Sequence, residues 1–226
     1  MIWFFLGRRS QNGRKREGKE KVLLRHVCLG RFWCRVVSEI LDLRFSPLTS
    51  EHWSDLETLF GSHGACGGCW CMWWRLRRAD FMKQRGERNR QAIRIIVDSG
   101  EIPGILAYSG NQPIGWCAVA PRDKYSALRR SRLLKPIDDK PVWSVTCFFV
   151  DKGFRRRGLM SALLAAAVEH VRTQSGKIIE GYPSEPSSKK APDPFYYTGI
   201  ISAFRKAGFI EAAAPSPTRR IMRYYI

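Results

Sequence analysis

The sequence predicts one folded domain of the α/β or α+β class, built around a mixed β-sheet. Segments with strand-type and helix-type apolar spacing alternate along most of its length. The chain has 226 residues, 44% of them hydrophobic and 12% aromatic, which is enough to bury a core. This composition excludes a disordered chain, a collagen-like fibre and a small disulfide-stapled domain. The apolar runs are shorter than the roughly eighteen residues of a membrane-spanning helix, so we expect no membrane partner.

Strands are predicted from runs of apolar and β-branched residues bounded by turn formers. Val142–Val150 is apolar or β-prone throughout, as is typical of a central strand. The Gly110-Asn111 pair between two such runs predicts a hairpin. The predicted strands are residues 41–48, 105–109, 114–120, 142–150, 177–182 and a short pair at the end of the chain.

Helices are predicted from apolar spacing and from capping residues. Thr49 or Ser50 can cap the first helix. In the second helical stretch Gly86 is a break, and Asn89 can cap the restarted helix. The predicted helices are residues 50–60, 78–99, 159–175 and 197–207. A basic, proline-bounded excursion spans 121–141, and a polar Pro/Ser-rich loop spans 183–195.

The charge is unevenly distributed. The whole chain has a formal net charge of +19, and residues 1–36 contribute ten Lys/Arg against two acids, which is +8. We therefore divide the chain into a basic N-terminal extension at 1–41, disordered or loosely helical, and a folded domain at 42–226. The extension is either dispensable or an arm that binds an anionic partner such as nucleic acid.

The seven cysteines include a clustered group that resembles a metal-binding pattern. His63, Cys66, Cys69 and Cys71 offer four potential zinc ligands within nine residues. A structural zinc site normally joins two separated half-sites, so we expect no metal here. The alternative is a wall of tryptophans and buried thiols beside a cleft. An odd number of cysteines without a secretory signal predicts reduced thiols and a cytoplasmic location.

The most informative segment is the strand ending at Val150, the loop Lys152–Gly158 and the helix that follows. A helix N-terminus presents unpaired amides and partial positive charge, which favour phosphate. Gly158 allows a close backbone approach, and Arg155, Arg156 and Arg157 can donate to phosphate oxygens. The same residues would also suit a surface turn with a solvated basic cluster.

This segment resembles the acyl-CoA-binding motif of the GNAT superfamily of N-acetyltransferases, in which Arg/Gln-x-x-Gly-x-Gly/Ala opens a helix. Arg155 and Gly158 match two of the three fixed positions, and Met160 replaces the final small residue. The segment ending in Gly208-Phe209 looks like the last helix of that superfamily. Three further segments are similar to a bacterial branch of it: Cys69–Arg75, Gly115–Arg122 and Arg220–Arg223.

The resemblance implies a fold with a mixed, mostly antiparallel sheet, a splayed central parallel strand pair and helices on both faces. It implies acetyl-CoA as cosubstrate, held in the V between strands 143–150 and 177–182. The backbone of Phe148, Phe149 and Val150 would hold the pantetheine arm. The pyrophosphate would be held by the loop residues Arg155, Arg156, Arg157, Gly158, Leu159 and Met160.

The implied reaction is direct attack of an amine on the thioester, which requires an unprotonated amine. For a lysine-like amine of pKa near 10.4, deprotonation at pH 7 costs roughly 4.6 kcal/mol. Glu180, at the end of the splayed strand, is the predicted general base; otherwise it is an exposed strand-end acid. Where many relatives place an acidic Tyr, this chain has Phe204, so Tyr197 is the predicted proton donor, with Tyr196 or no acid at all as the alternatives. Thr146 could only relay a proton through water.

The predicted function is therefore transfer of an acetyl group to an amine of a small molecule or peptide, by a monomer or homodimer. Two alternatives stay open. One is a CoA-binding sensor without catalysis, which the replacements at Phe204 and Met160 would allow. The other is a nucleic-acid-binding protein that uses the basic surface.

Overall fold

Seven strands form one sheet in residues 43–185 and 196–226, the part of the chain described by a computed structural model. The sheet order is β1-β2-β3-β4-β5-β7-β6. The strands are β1 Leu43–Pro47, β2 Gly104–Ser109, β3 Gln112–Pro121, β4 Trp143–Val150, β5 Ile178–Gly181, β6 Ile210–Ser216 and β7 Arg219–Tyr225. Within this sheet β4 and β5 are the parallel pair, and the other neighbours run antiparallel. The predicted extension at 1–41 lies outside the described residues.

Helices cover both faces of the sheet. They are α1 Trp53–Phe60, α2 Arg78–Gln84, α3 Glu87–Asp98, α4 Ser126–Arg129, α5 Leu159–Thr173 and α6 Ile201–Lys206. The predicted fold class, a mixed and mostly antiparallel sheet with one parallel pair, is confirmed. In the part of the chain that can be described, none of these helices has the length and hydropathy needed to cross a bilayer.

Alternation along the central strands builds a separate core on each face. On β2, Ile105 and Ala107 pack beneath α5, while Leu106 and Tyr108 pack beneath α1 and α3. The same period of two is repeated on β3. Because both faces of these strands are buried, they are apolar throughout, and this is why runs of apolar residues predicted them.

The second helical stretch breaks where predicted but restarts earlier. Gly86, with φ of +84°, separates α2 from α3, and α3 begins at Glu87 rather than after Asn89. Asn89 lies inside the helix, fully buried, and its Nδ2 donates to the carbonyl of Gly68 at 3.0 Å. The Asn89 amide therefore ties α3 to the 64–68 segment instead of capping the helix.

The last predicted helix is also shorter, beginning at Ile201 rather than near 197. Gly199 has a φ of +94°, which a right-handed helix cannot include. In the 121–141 excursion, the described chain forms the single-turn helix α4 between irregular segments.

A buried histidine on α5 makes stability depend on pH. His170 is 7% exposed and packs edge-on against Trp143, and its Nε2 has no hydrogen-bond partner among the described residues. Burial lowers the pKa of His170 below its ordinary value of about 6.5. As the pH falls through that value, the unfolded chain binds a proton that the native imidazole resists, so native stability decreases.

We expect the free energy of unfolding to fall between pH 7 and pH 5, by up to about 1.4 kcal/mol per pH unit for this one group. His170→Phe keeps an aromatic ring against Trp143 and should flatten that slope, measured by urea unfolding across the pH range. His63→Gln, at an exposed position, is the control and should keep the wild-type slope. An unchanged slope in His170→Phe would contradict the assignment.

Candidate functional site

The parallel strands β4 and β5 pair only over their first half. Trp143, Ser144 and Val145 pair with β5, which stops at Gly181, while β4 continues to Val150. On its other side, β4 pairs with β3 through a β-bulge. Val145 and Cys147 pair with consecutive β3 residues, and Thr146 between them has no β3 partner. An extra residue of this kind bends and twists its strand. The strands therefore separate beyond the bulge.

A cleft of about 1400 Å³ occupies this gap. Its lining residues come from the cores on both faces of the sheet, so the cleft passes through the sheet beyond the end of β5. The loop half is lined by Asp151, Lys152, Phe154, Arg155, Arg156, Gly158, Leu159, Met160, Ser161, Ser202, Ala203 and Lys206. The aromatic half is lined by Phe60, Ala65, Cys66, Gly67, Cys69, Cys71, Trp73, Trp74, Phe81, Met82, Arg85 and Cys147. Phe148, Phe149, Val150, Tyr196, Tyr197 and Ile200 lie between them.

The loop half is built around the start of α5. Gly158 caps the helix with a φ of +82°, a left-handed conformation that side chains disfavour. A Cβ at this position would meet only the Nζ of Lys206, at 3.9 Å, so the backbone is open to the cleft. The amides of Leu159 and Met160 precede that of Ser161, the first amide to bond back to the Gly158 carbonyl, so they have no acceptor within the helix.

The charge of the loop half is positive. Its side chains include four cations, Lys152, Arg155, Arg156 and Lys206, against one carboxylate, that of Asp151. The Asp151 carboxylate already accepts the Gly153 amide at 2.9 Å. Together with the helix N-terminus, these cations form an environment that attracts phosphate groups.

Most of the predicted cosubstrate residues line this cleft: Phe148, Phe149, Val150, Arg155, Arg156, Gly158, Leu159 and Met160. Arg157 is outside the described lining, and its guanidinium lies 5.6 Å from the centre of the Phe154 ring. Lys206 was missed by sequence reasoning. The only signal was its place two residues before Gly208, which does not reveal that α6 directs it back toward Gly158.

Two polar backbone groups at the open edge of β4 have partners within the chain. The Phe148 amide donates to the Tyr197 carbonyl at 2.6 Å, and Arg155 Nε donates to the Val150 carbonyl at 3.0 Å. Because strand amides alternate in direction, the Val150 amide points to the same edge as that of Phe148. A ligand that used the Phe148 amide would therefore have to displace the carbonyl of Tyr197.

Glu180, the predicted base, lies in a buried ion network outside the described lining of the cleft. Its side chain is 1% exposed, and Oε1 accepts from Arg122 at 3.1 Å and from Tyr182 at 2.8 Å. Oε2 accepts from Arg223 at 2.8 Å, and Arg223 also pairs with Asp138 of the excursion at 2.7 Å. These contacts hold the 121–141 excursion against strands β5 and β7. The role of Glu180 as general base stays a prediction.

Tyr197 and Thr146 occupy different surroundings. Tyr197 is half-buried and lines the cleft, and its hydroxyl is hydrogen-bonded to the Trp73 side chain. Burial raises the pKa of Tyr197 to about 12, so the phenol keeps its proton at neutral pH. Thr146, at the bulge, is 1% exposed and outside the described lining.

The position expected for an acidic tyrosine is occupied by a packing residue. The Phe204 side chain is fully buried, with its ring edge-on to Phe148 at 6.1 Å. It also lies so close to Gly181 that a Cβ there would approach the ring at 2.1 Å. Phe204 therefore closes the end of β5 and has no proton to donate.

The clustered cysteines form part of the aromatic half. Cys69 and Cys71 line the cleft beside Trp73 and Trp74, two tryptophans of the predicted wall, while the third, Trp70, packs on Trp53 and Phe60 in the core. Among the described residues, no group of three or more His, Cys, Asp or Glu side chains is arranged to hold a metal ion. Within the wall, Trp73 packs edge-on to Phe81 at 5.0 Å.

Comparison with known families identifies the fold. A profile described as "Acetyltransferase (GNAT) family" matches residues 70–188, which is more than half of the chain. The chain belongs to the GNAT acetyltransferase family. Family membership makes it an acyltransferase. The matched span contains the bulged strand β4, the loop Lys152–Gly158 and helix α5.

Solved structures with similar folds were also found, all at low identity. The PaiA N-acetyltransferase from Thermoplasma acidophilum, in complex with coenzyme A, has 12% identity and a TM-score of 0.45, with 81% of this chain and 99% of that chain covered. The ribosomal-protein-S5-alanine acetyltransferase from Vibrio fischeri has 10% identity and a TM-score of 0.46, with 81% and 93% covered. A GNAT family acetyltransferase from Streptococcus agalactiae has 14% identity and a TM-score of 0.47, with 81% and 95% covered. No curated protein matches the chain.

The Glu180 network yields a stability prediction. Glu180→Gln removes the carboxylate charge between two buried guanidinium groups, and uncompensated buried charge is costly. We expect a loss of about 3–5 kcal/mol in the free energy of unfolding, measured by urea denaturation.

Glu211→Gln is the matched control, because Glu211 is 39% exposed and pairs with Arg220 at 3.4 Å. It should cost less than about 1 kcal/mol. If Glu180→Gln were as stable as the control, the network would not be the tie between the excursion and the sheet.

Proposed function

We propose that the protein is an N-acetyltransferase that moves an acetyl group from acetyl-CoA to an amine by direct attack on the thioester. The observation that carries the proposal is the loop half of the cleft, where an open glycine cap, free first-turn amides and four cations converge at the start of α5. This arrangement suits a diphosphate. Family membership supplies the reaction class.

In this proposal the cosubstrate extends from the loop half to the bulge. The amides of Leu159 and Met160 bind the pyrophosphate, and Arg155, Arg156 and Lys206 neutralise its charge. The pantetheine arm follows the open edge of β4, and the Val150 amide points toward that edge. When the arm binds, the hydrogen bond from the Phe148 amide to the Tyr197 carbonyl breaks. The thioester carbonyl then lies near Phe148, whose freed amide stabilises the oxyanion.

The acceptor enters the aromatic half, which is walled by Trp73, Trp74 and Phe81. We propose an amine carried on an apolar or aromatic body, either a small molecule or a peptide side chain or terminus. The amine must lose its proton before it attacks. At pH 7 this costs about 4.6 kcal/mol for a lysine-like amine, and about 1 kcal/mol for an α-amino group of pKa near 7.8. Glu180 stays the predicted base, acting through water, with Thr146 as a relay.

Tyr197 is the proposed acid for the leaving thiolate. Its hydroxyl faces the aromatic half, since it bonds to Trp73 and lies near Cys147. A phenol of pKa about 12 is protonated at every working pH and remains a better donor than water. The acid catalysis is modest, because a thiolate of pKa near 8.5 already leaves well.

Acyl-CoA binding tests the cofactor assignment. Gly158→Asp places a carboxylate against the pyrophosphate site, and we expect acetyl-CoA affinity to fall at least about 100-fold, measured by calorimetric titration. Gly100→Asp is the matched control, because Gly100 has nearly the same backbone strain, with a φ of +83°, and nothing within 4 Å of an added Cβ. If Gly158→Asp bound acetyl-CoA with wild-type affinity, the start of α5 would not be the pyrophosphate site.

Release of free CoA with a panel of amines tests the reaction. The proposal expects turnover to favour aromatic or apolar amines over small polar ones, at matched acetyl-CoA saturation. Tight acetyl-CoA binding with no turnover across the panel would contradict catalysis and support the CoA-binding sensor instead. No binding of any acyl-CoA would overturn both.

The role of Tyr197 is tested by Tyr197→Phe, which removes the hydroxyl but leaves the carbonyl that holds Phe148. We expect kcat to fall about tenfold or more while the Kd for acetyl-CoA stays within about threefold of wild type. Tyr196→Phe, also in the lining, is the control and should keep kcat. In wild type, kcat should show no loss from Tyr197 ionisation up to about pH 10, since its pKa is about 12. A loss of affinity instead of kcat would assign Tyr197 to binding.

A further inference from the structure

Two cysteine thiols lie close together in the aromatic half of the cleft. Cys71 and Cys147 both line it and pack in the same cluster on this face of the sheet, and each shifts the pKa of the other. Cys71 Sγ also accepts a hydrogen bond from Trp116 Nε1 at 3.0 Å. No step of the proposed acetyl transfer uses either thiol.

The sheet fixes the position of this pair. Cys147 on β4 lies opposite Ala118 on β3, and Trp116 lies two residues from Ala118 on the same face. The Trp116 indole therefore sits diagonally from Cys147 and holds the Cys71 sulfur beside it. Both thiols therefore neighbour the Trp116 side chain, and a disulfide forms when the two sulfur atoms approach to the bond length of about 2.05 Å.

The two thiols are electronically different. The neighbouring Cys147 side chain lowers the pKa of the Cys71 thiol, assisted by the Trp116 indole and the nearby Arg75 charge, against the opposing effect of burial. The Cys71 side chain and burial raise the pKa of Cys147 well above the ordinary value. Cys71 is thus the more acidic thiol of the pair, and Cys147 is the less acidic one. Nucleophilic and resolving cysteines differ in this way.

We propose that Cys71 and Cys147 form a peroxide-sensitive dithiol, which oxidation by hydrogen peroxide converts into a disulfide across the aromatic half of the cleft. The chemistry of this modification site is independent of the proposed acetyl transfer. Only its effect on turnover rests on the proposed function.

The oxidation takes two steps that balance. The Cys71 thiolate attacks one peroxide oxygen, the O–O bond breaks, and the departing hydroxide takes up a proton to leave as water, which gives a sulfenic acid at Cys71. The Cys147 sulfur then attacks the Cys71 sulfur, the S–O bond breaks, and the hydroxyl leaves as water with the Cys147 proton. Two thiols lose two electrons and two protons, and one peroxide is reduced to two waters.

The first test is mapping of disulfides in the full-length chain after hydrogen peroxide treatment and blocking of remaining thiols, by mass spectrometry of non-reduced peptides. We expect one linked pair, Cys71–Cys147, reversed by dithiothreitol. Cys147→Ser should stop at a sulfenic acid on Cys71 that dimedone traps, and Cys71→Ser should show neither product. Cys117→Ser is the control for a fully buried thiol and should form the disulfide as wild type does.

Two results would overturn the proposal. One is a disulfide that joins Cys69 or Cys66 to either member in place of the Cys71–Cys147 link. The other is a Cys147→Ser protein whose Cys71 stays a free thiol under conditions that oxidise exposed Cys66. The mapping does not require activity, so these results stand even if the proposed transfer fails.

The second test measures the consequence. Oxidised protein should keep its acetyl-CoA affinity within about threefold, because the loop half is unaltered, and should lose amine turnover at least about tenfold until reduced. An oxidised protein with full turnover would show that the disulfide does not close the aromatic half. Absence of acyl-CoA binding in the reduced protein would count against the proposed function and leave the disulfide mapping intact.

Discussion

The extra residue in β4 at Thr146 is the constraint on which the site depends. A regular β4 would pair with β5 along its whole length, and the centre of the sheet would be closed. The bulge turns β4 away while the Phe204 ring, packed on Gly181, ends β5. The resulting gap crosses the sheet and joins a polar, cationic loop on one face to an aromatic wall on the other. The proposed cosubstrate site and the proposed acceptor site therefore meet at the bulge.

A strand that loses its neighbour exposes backbone groups that must find other partners. In this chain the carbonyl of Tyr197 accepts the Phe148 amide, and Arg155 donates to the Val150 carbonyl. These bonds satisfy both backbone groups within the chain. In the proposed function, the bond to the Tyr197 carbonyl is the one that the pantetheine arm replaces.

Two groups of charges among the described residues have different consequences. Glu180 and Asp138 neutralise Arg122 and Arg223 in a network that holds the excursion to the sheet, and the burial of Glu180 and Arg223 makes that pair hard to remove. In the described lining around the start of α5, cations outnumber carboxylates. In the proposed function Arg156 and Lys206 meet the pyrophosphate there, whereas the charges of the network are used for structure.

The sequence alone determined the elements and the loop that precedes α5. Two-residue alternation and helical spacing are local properties of the chain, and a glycine before a helix start shows its role through a backbone conformation that other residues avoid. The tertiary structure determined which residues from distant segments of the chain lie next to each other. It buried Glu180 between two arginines distant in sequence, turned Lys206 toward Gly158, put Asn89 inside a helix, and set Cys71 against Cys147. These placements depend on how helices and strands pack across the sheet, and no spacing within a single segment records such a contact.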